Sequence, residues 1–216
     1  MNIYYISGLG ADHRAFDKLD FVKQHQANYL PWLRPTQKRE SIESYAQRLA
    51  KKIKGEKPIL VGLSFGGMVA MEIAKIIDVE RVILISSCKT KKELPPQIKM
   101  AGQLGLDNLV PMSLVKNSKP MMHSFLGTKT DAEKAIADDF INQLDEDYLS
   151  WAMRRISRWK NTEIPCPVTH IHGDKDLLLQ HSFVEADYII KGGNHFMIYN
   201  QADEINAILK LILSEK

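Results

Sequence analysis

Pro58-Ile59-Leu60-Val61 is an apolar run of strand length. It passes without a spacer through Gly62-Leu63-Ser64-Phe65-Gly66 into Ser64 to Ile77, a stretch that reads as a helix. A strand that turns straight into a helix around a serine leaves few architectures open. The turn is tight, and only glycine-sized neighbours at 62 and 66 let strand and helix pack around a strained serine. It lifts the Ser64 hydroxyl clear of the sheet and leaves the first N–H groups of the helix without partners. A developing oxyanion needs such donors. Gly-x-Ser-x-Gly alone also fits an ordinary glycine-rich turn. The strand before it and the helix after it favour the catalytic reading, with Ser64 as nucleophile.

A serine hydroxyl is a poor nucleophile at neutral pH and needs a base, and the base needs an orienting carboxylate. A serine on this kind of turn is followed in chain order by the acid and then the histidine. Pro167-Val168-Thr169-His170-Ile171 reads as a strand entering the polar turn His172-Gly173-Asp174-Lys175-Asp176. A further strand, about Asp187 to Lys191, ends in Gly192-Gly193-Asn194-His195-Phe196. His195 thus falls at the C-terminal end of a strand, where parallel α/β sheets build their sites. Of the seven histidines, it alone follows the acid turn, a strand and a glycine pair. His25, His123 and His181 carry no motif and read as surface or packing residues. His170 falls inside a strand, and His172 reads as a structural turn residue. Asp174 and Asp176 compete for the acid role. Asp176 lies further along the loop with room to turn back towards the histidine, whereas Asp174 is better placed to tie the turn through its own backbone. A second oxyanion donor is expected from Ser7-Gly8-Leu9-Gly10, which follows the apolar strand Asn2 to Ile6. Its glycines let the backbone approach a ligand. The expected donors are the N–H groups of Leu9 and Phe65. An ordinary glycine turn is the alternative. A phosphate loop is disfavoured, because no Gly-Lys-Ser/Thr ending and no complete Gly-x-Gly-x-x-Gly occur.

With SGLG after the first strand, GLSFGG at the turn, HGDKD after a late strand and GGNHF near the end, the chain resembles the α/β-hydrolase superfamily over essentially its whole length. The resemblance implies a three-layer α/β fold with a mainly parallel sheet of about six strands. It implies Ser64, Asp176 and His195 as nucleophile, acid and base, with Leu9 and Phe65 as oxyanion donors and no metal or cofactor. Two departures stand out. Ser7-Gly8 replaces the His-Gly that often opens the oxyanion loop, and the antiparallel hairpin that often begins the core is missing.

One domain of 216 residues, 44% of them hydrophobic, has enough chain for a sizeable core. The net charge of +3 points to no particular partner, and nucleic-acid binding is not supported. Cys88 follows one strand and Cys166 precedes another. If those strands are parallel neighbours, the thiols lie about 17–20 Å apart at opposite sheet ends, too far for a disulfide, and free thiols are expected. No run of about 18 apolar residues occurs, and Met1-Asn2-Ile3 lacks the opening of a secretory signal. The expectation is a cytoplasmic protein with no membrane association.

Residues 1–87 and 166–216 are expected to form the core. Ser41 to Lys54 reads as a helix capped by Ser41, a short strand is expected around Asn28 to Leu33, and the last helix is expected over about Ala202 to Leu213. Residues 88–165 far exceed the dozen or so that a helical crossover requires, and they read as an inserted helical cap. Thr130-Asp131-Ala132-Glu133 is a capping box opening one helix. Asp145 to Trp159 reads as another, and short helices are expected near Gln97–Leu104 and Ser113–Leu126. The cap is rich in methionine and aromatic residues, which either fill its own core or line an adaptable apolar pocket. Met121, Phe125 and Trp151, with His13 from the first loop, are the candidate pocket residues. Arg154, Arg155 and Arg158 with Lys89, Lys91 and Lys92 either form a solvated face or attract an anionic group.

The leading reading is a serine hydrolase acting on a small ester or thioester. Its partner would be a small-molecule acyl substrate, free or carried by coenzyme A or an acyl-carrier protein. The same scaffold supports lyases and carbon–carbon bond hydrolases; a non-catalytic ligand-binding protein and a protein-interaction module recruited through the cap are the further alternatives.

Overall fold

The computed structural model describes residues 1–105 and 118–214. Six parallel strands form a single sheet in the order β2-β1-β3-β4-β5-β6. They are β1 (Ile3–Ile6), β2 (Asn28–Tyr29), β3 (Ile59–Leu63), β4 (Arg81–Ile85), β5 (Val168–Gly173) and β6 (Tyr188–Ile190). The order reverses between β1 and β3, and at the C-terminal strand ends this is the place where open parallel sheets build their sites. β2 is shorter than the Asn28 to Leu33 run expected. Leu30 adds one more hydrogen bond to Tyr5, and Pro31, which has no N–H to give, ends the pairing.

Alternation along the strands divides the core. Tyr4, Ile6, Leu60, Val82 and Leu84 face one side with α2 (Ile42–Ala50) and α3 (Phe65–Ala74). Ile3, Tyr5, Ile59, Val61, Ile83, Ile85 and Ile171 face the other. That side is covered by α1 (Asp20–Gln24), and further on by α8 (Met197–Asn200) and α9 (Ala202–Ser214). Helix α2 starts where its sequence says it should: the Ser41 hydroxyl accepts the Ser44 N–H at 3.1 Å, a cap worth about 1 kcal/mol. On α9, Ile205, Leu209 and Ile212 are buried at helical spacing.

Between β4 and β5 the described residues form α4 (Pro96–Gln103), α5 (Lys119–Leu126), α6 (Asp131–Gln143) and α7 (Glu146–Ser157). The Thr130 hydroxyl receives the Glu133 N–H at 3.2 Å, and Glu133 reaches back to the Lys129 N–H at 2.6 Å. Asp145 caps α7 through the Tyr148 N–H. The expected helix over Ser113 to Leu126 is described only from Lys119, and Ser113 and Met112 lie outside the described residues. Helix α7 is rooted in the core by two indoles. Trp151 donates to the Glu40 carbonyl at 2.8 Å, and Trp159, just past the helix, donates to the buried Glu72 carboxylate at 2.7 Å. Cys88 and Cys166 are free thiols flanking the adjacent parallel strands β4 and β5. Among the described residues, no helix is long and apolar enough to cross a membrane, and no cluster of three or more acidic, His or Cys side chains is placed to hold a metal ion.

Candidate active site

Ser64 occupies the point where β3 becomes α3, with φ 50° and ψ −121°. This is a conformation non-glycine residues avoid, at a cost of about 1–3 kcal/mol. The surroundings enforce it. A Cβ on Gly62 would enter the Gly67 backbone, and one on Gly66 would enter the carbonyls of Ile6 and Ser7. Strand and helix therefore close on the turn with no slack. The Ser64 N–H donates to Ile85 at 3.0 Å, and the Ser87 hydroxyl donates to the Ser64 carbonyl at 2.7 Å. Ser87 is a brace that no sequence motif marked.

The Ser64 Oγ lies 3.0 Å from His195 Nε2, and His195 Nδ1 lies 2.7 Å from Asp176 Oδ2. A carboxylate only accepts, so Nδ1 carries the proton and Nε2 is free to accept from the serine. The other Asp176 oxygen accepts the N–H groups of Leu178 and Leu179 at 2.8 and 2.9 Å. Burial pushes the Asp176 carboxyl up. The neighbouring His195, then His172 and the backbone donors, outweigh it and hold the group below the usual aspartate range.

The acid and base loops are zipped together. Lys175 N–H donates to the Gly193 carbonyl at 2.8 Å, and Asp174 Oδ1 accepts the Gly192 N–H at 2.6 Å. Asp174 therefore does not tie its own turn. It ties the acid loop to the base loop. A Cβ on Gly173 would collide with the Gly193 backbone, so the loops meet glycine to glycine. The loop carrying His195 is also fastened to the C-terminal end of α5. Asn194 Nδ2 donates to the Gly127 carbonyl at 2.8 Å, and the Phe196 N–H donates to Leu126 at 3.1 Å.

His172 does not sit in the turn; it lies within β5, one residue before its end, fully buried with His170. Its Nε2 lies 2.7 Å from the Leu179 carbonyl and must donate, so its Nδ1 accepts from His170 Nε2 at 3.2 Å. That leaves His170 Nδ1 as a bare acceptor without a hydrogen-bond partner among the described residues. Burial pulls both imidazoles below the ordinary histidine range, strongly so for His170. The pair is neutral packing behind Asp176.

Ser7, Gly8 and Leu9 lie beside the serine turn, and a Cβ on Gly8 would come within 3.3 Å of the Ser64 Cβ. In place of a histidine, Ser7 braces this loop: its hydroxyl donates to the Ala11 carbonyl at 2.6 Å and lies 3.1 Å from the Tyr29 hydroxyl. Among the described residues the N–H groups of Leu9 and Phe65 make no backbone hydrogen bond.

The candidate pocket residues scatter. His13 is exposed in the first loop beside the Tyr29 ring. Met121 and Phe125 are partly exposed on α5, at 46% and 38%. Trp151 is 1% exposed, with its ring against Tyr45, Phe65 and Tyr148, a placement that gives it a packing role. Arg14, which sequence reasoning passed over, is clasped by Asp12 and reaches Asp139 on α6 at 2.5 Å. It links the first loop to α6. Burial pushes the thiols of Cys88 and Cys166 up, which keeps them protonated and weakly reactive.

By sequence, no curated protein matches the chain. Solved structures share its fold at low identity. A hydrolase from Oleispira antarctica is 10% identical with a TM-score of 0.75, covering 100% of this chain and 92% of that one. A thermophilic esterase from Thermogutta terrifontis with malate bound is 15% identical with a TM-score of 0.72, at 99% and 89% coverage. The RedJ thioesterase of prodiginine biosynthesis in Streptomyces coelicolor is 17% identical with a TM-score of 0.63, at 97% and 89%. The sequence model of the alpha/beta hydrolase family matches residues 7–208. That span runs from the loop beside Ser64, through the serine turn and both late loops, into the final helix, and on it this chain belongs to the alpha/beta hydrolase family.

Proposed function

We propose that the protein is a serine hydrolase that cleaves a small carboxylic ester or thioester through an acyl-enzyme. The observation that carries this reading is the unbroken hydrogen-bond chain from Ser64 through His195 to Asp176, built on a serine held in strained backbone. His195 Nε2 takes the Ser64 proton as Oγ attacks the acyl carbon. The carbonyl oxygen, now negative, receives the N–H groups of Leu9 and Phe65. The imidazolium, steadied by Asp176, gives its proton to the departing alkoxide or thiolate. Water then repeats the sequence on the acyl-enzyme, and His195 returns the proton to Ser64. No step requires a metal or an organic cofactor.

Residues 88–165 would act as the cap that closes the acyl pocket, and the ties from Arg14 to Asp139 and from Asn194 to Gly127 would set its position over the cleft. Esterase and thioesterase neighbours agree with an acyl substrate, free or carried by coenzyme A or an acyl-carrier protein.

The test is fluorophosphonate labelling read by intact mass. Wild type should gain one adduct and Ser64→Ala none. Turnover of any ester or thioester found in a subsequent screen should fall by about 10⁴-fold or more in Ser64→Ala. A folded wild type that never labels, or a Ser64→Ala variant that turns over normally, sinks the reading. Tight binding of an acyl ligand without turnover would point instead to a binding protein on this scaffold.

A further inference from the structure

Behind the loop that carries Leu9 lies an indole that no motif marks. Trp32 follows β2 on an irregular segment between Pro31 and Pro35 and is half-buried. Its Nε1–H donates to the Gly8 carbonyl at 3.2 Å, and the Ala11 N–H donates to the same oxygen at 3.1 Å. The face of its ring stacks on Phe65, centroids 5.5 Å apart and planes 18° apart. The backbone just after it is held: the Tyr45 hydroxyl accepts the Leu33 N–H at 2.8 Å and donates to the Leu33 carbonyl at 2.9 Å. Tyr148 of α7 closes on the ring at 5.7 Å.

We infer that Trp32 is a positioning residue that aims both oxyanion donors. The inference rests on the serine-hydrolase reading above. The Gly8–Leu9 peptide is one planar unit, with the Gly8 C=O and the Leu9 N–H pointing opposite ways. Fixing the oxygen from behind with two donors fixes the direction of the N–H in front. Both lone pairs of the Gly8 oxygen are engaged, so the peptide has no reason to flip towards solvent. The other donor belongs to Phe65, and its ring is the surface on which the indole stacks. One side chain thus registers the β1 loop against the β3–α3 turn. Donors already in place when charge develops cost nothing to reorganise, and Trp32 supplies that rigidity without touching substrate.

The test needs no knowledge of the natural substrate. Fluorophosphonate labelling of Ser64 places a phosphonyl oxygen between the same two donors, and its kinetics separate KI from kinact. Trp32→Phe keeps an aromatic face for Phe65 and removes the N–H. Site-specific replacement of Trp32 by 3-benzothienylalanine keeps the full bicyclic shape and removes only the N–H, so it remains informative if Trp32→Phe folds poorly. Removing an oxyanion donor outright costs about 10²–10³-fold. Loosening one should lower kinact by about 10- to 100-fold, with KI within about twofold and the pH dependence of kinact unchanged. An undiminished kinact in the benzothienylalanine protein overturns the inference. So does a loss that appears in KI or moves the pH profile, because Trp32 would then act on binding or on His195. If folded wild type never labels, the hydrolase reading itself has failed, a result distinct from either.

Discussion

At Asp176 the two oxygens have divided tasks. One faces the imidazole, and the other anchors the Leu178–Leu179 turn. An amide in its place can keep the turn by presenting its oxygen to those N–H groups, but its NH₂ then faces His195 Nδ1. A donor there forces the histidine proton onto Nε2, where it cannot receive one from Ser64. Asp176→Asn should therefore fold normally while acyl transfer falls by about 10³–10⁴-fold, checked by circular dichroism alongside fluorophosphonate labelling rates. At the serine turn the constraint is steric. A methyl group on Gly66 must displace the Ile6 and Ser7 carbonyls, which lie in the strand and loop leading to Leu9. Gly66→Ala should lower the thermal midpoint and labelling together, a coupling that differential scanning calorimetry and intact mass would resolve.

Among the elements, the paired loops after β5 and β6 bring His195 to Asp176. Their backbones meet with no room for a side chain at Gly173 against Gly193. Gly173→Ala must push the loops apart, lengthening the reach from His195 to Asp176, and is expected to slow labelling by about 10²-fold, the cost of misplacing reacting groups by about 1 Å. Normal labelling in a folded Gly173→Ala protein would show that the loops move independently. The contrast with what the sequence makes legible is instructive. The Ser41 cap, the Thr130–Glu133 box and Gly62, which closes on Gly67, act within a few residues, so a local reading finds them. Ser64, Asp176 and His195 could be found across long separations because each follows a strand. Ser87, Asp174, Asn194 and Trp32 could not. Each acts across loops on a partner that no spacing rule relates to it, as Trp32 does on Gly8. Trp151 was legible as an aromatic on a helix. Which face of α7 meets α2 depends on how the helices between β4 and β5 dock, and that is a tertiary matter.

The molecule as a whole carries its pH dependence in the buried imidazoles. His170 and His172 are held below the ordinary histidine value of about 6.5. Below that pH the unfolded chain binds protons that the native protein refuses, so stability falls as pH falls. Asp176, held low, adds a loss of the same sign at more acidic pH. Glu93, which burial pushes up, opposes it. Urea unfolding should show a lower free energy at about pH 5 than at about pH 7, and His170→Phe should flatten that slope by roughly one proton. An unchanged slope in a folded His170→Phe protein would mean that His170 does not carry it. The strand order has a further consequence, for synthesis. β1, β3 and β4 leave the ribosome early and can build the serine turn, while the strands that bring acid and base are made last. On the proposed function, a nascent chain would therefore carry its serine as an inert hydroxyl until the trailing edge of the sheet brings His195 to it.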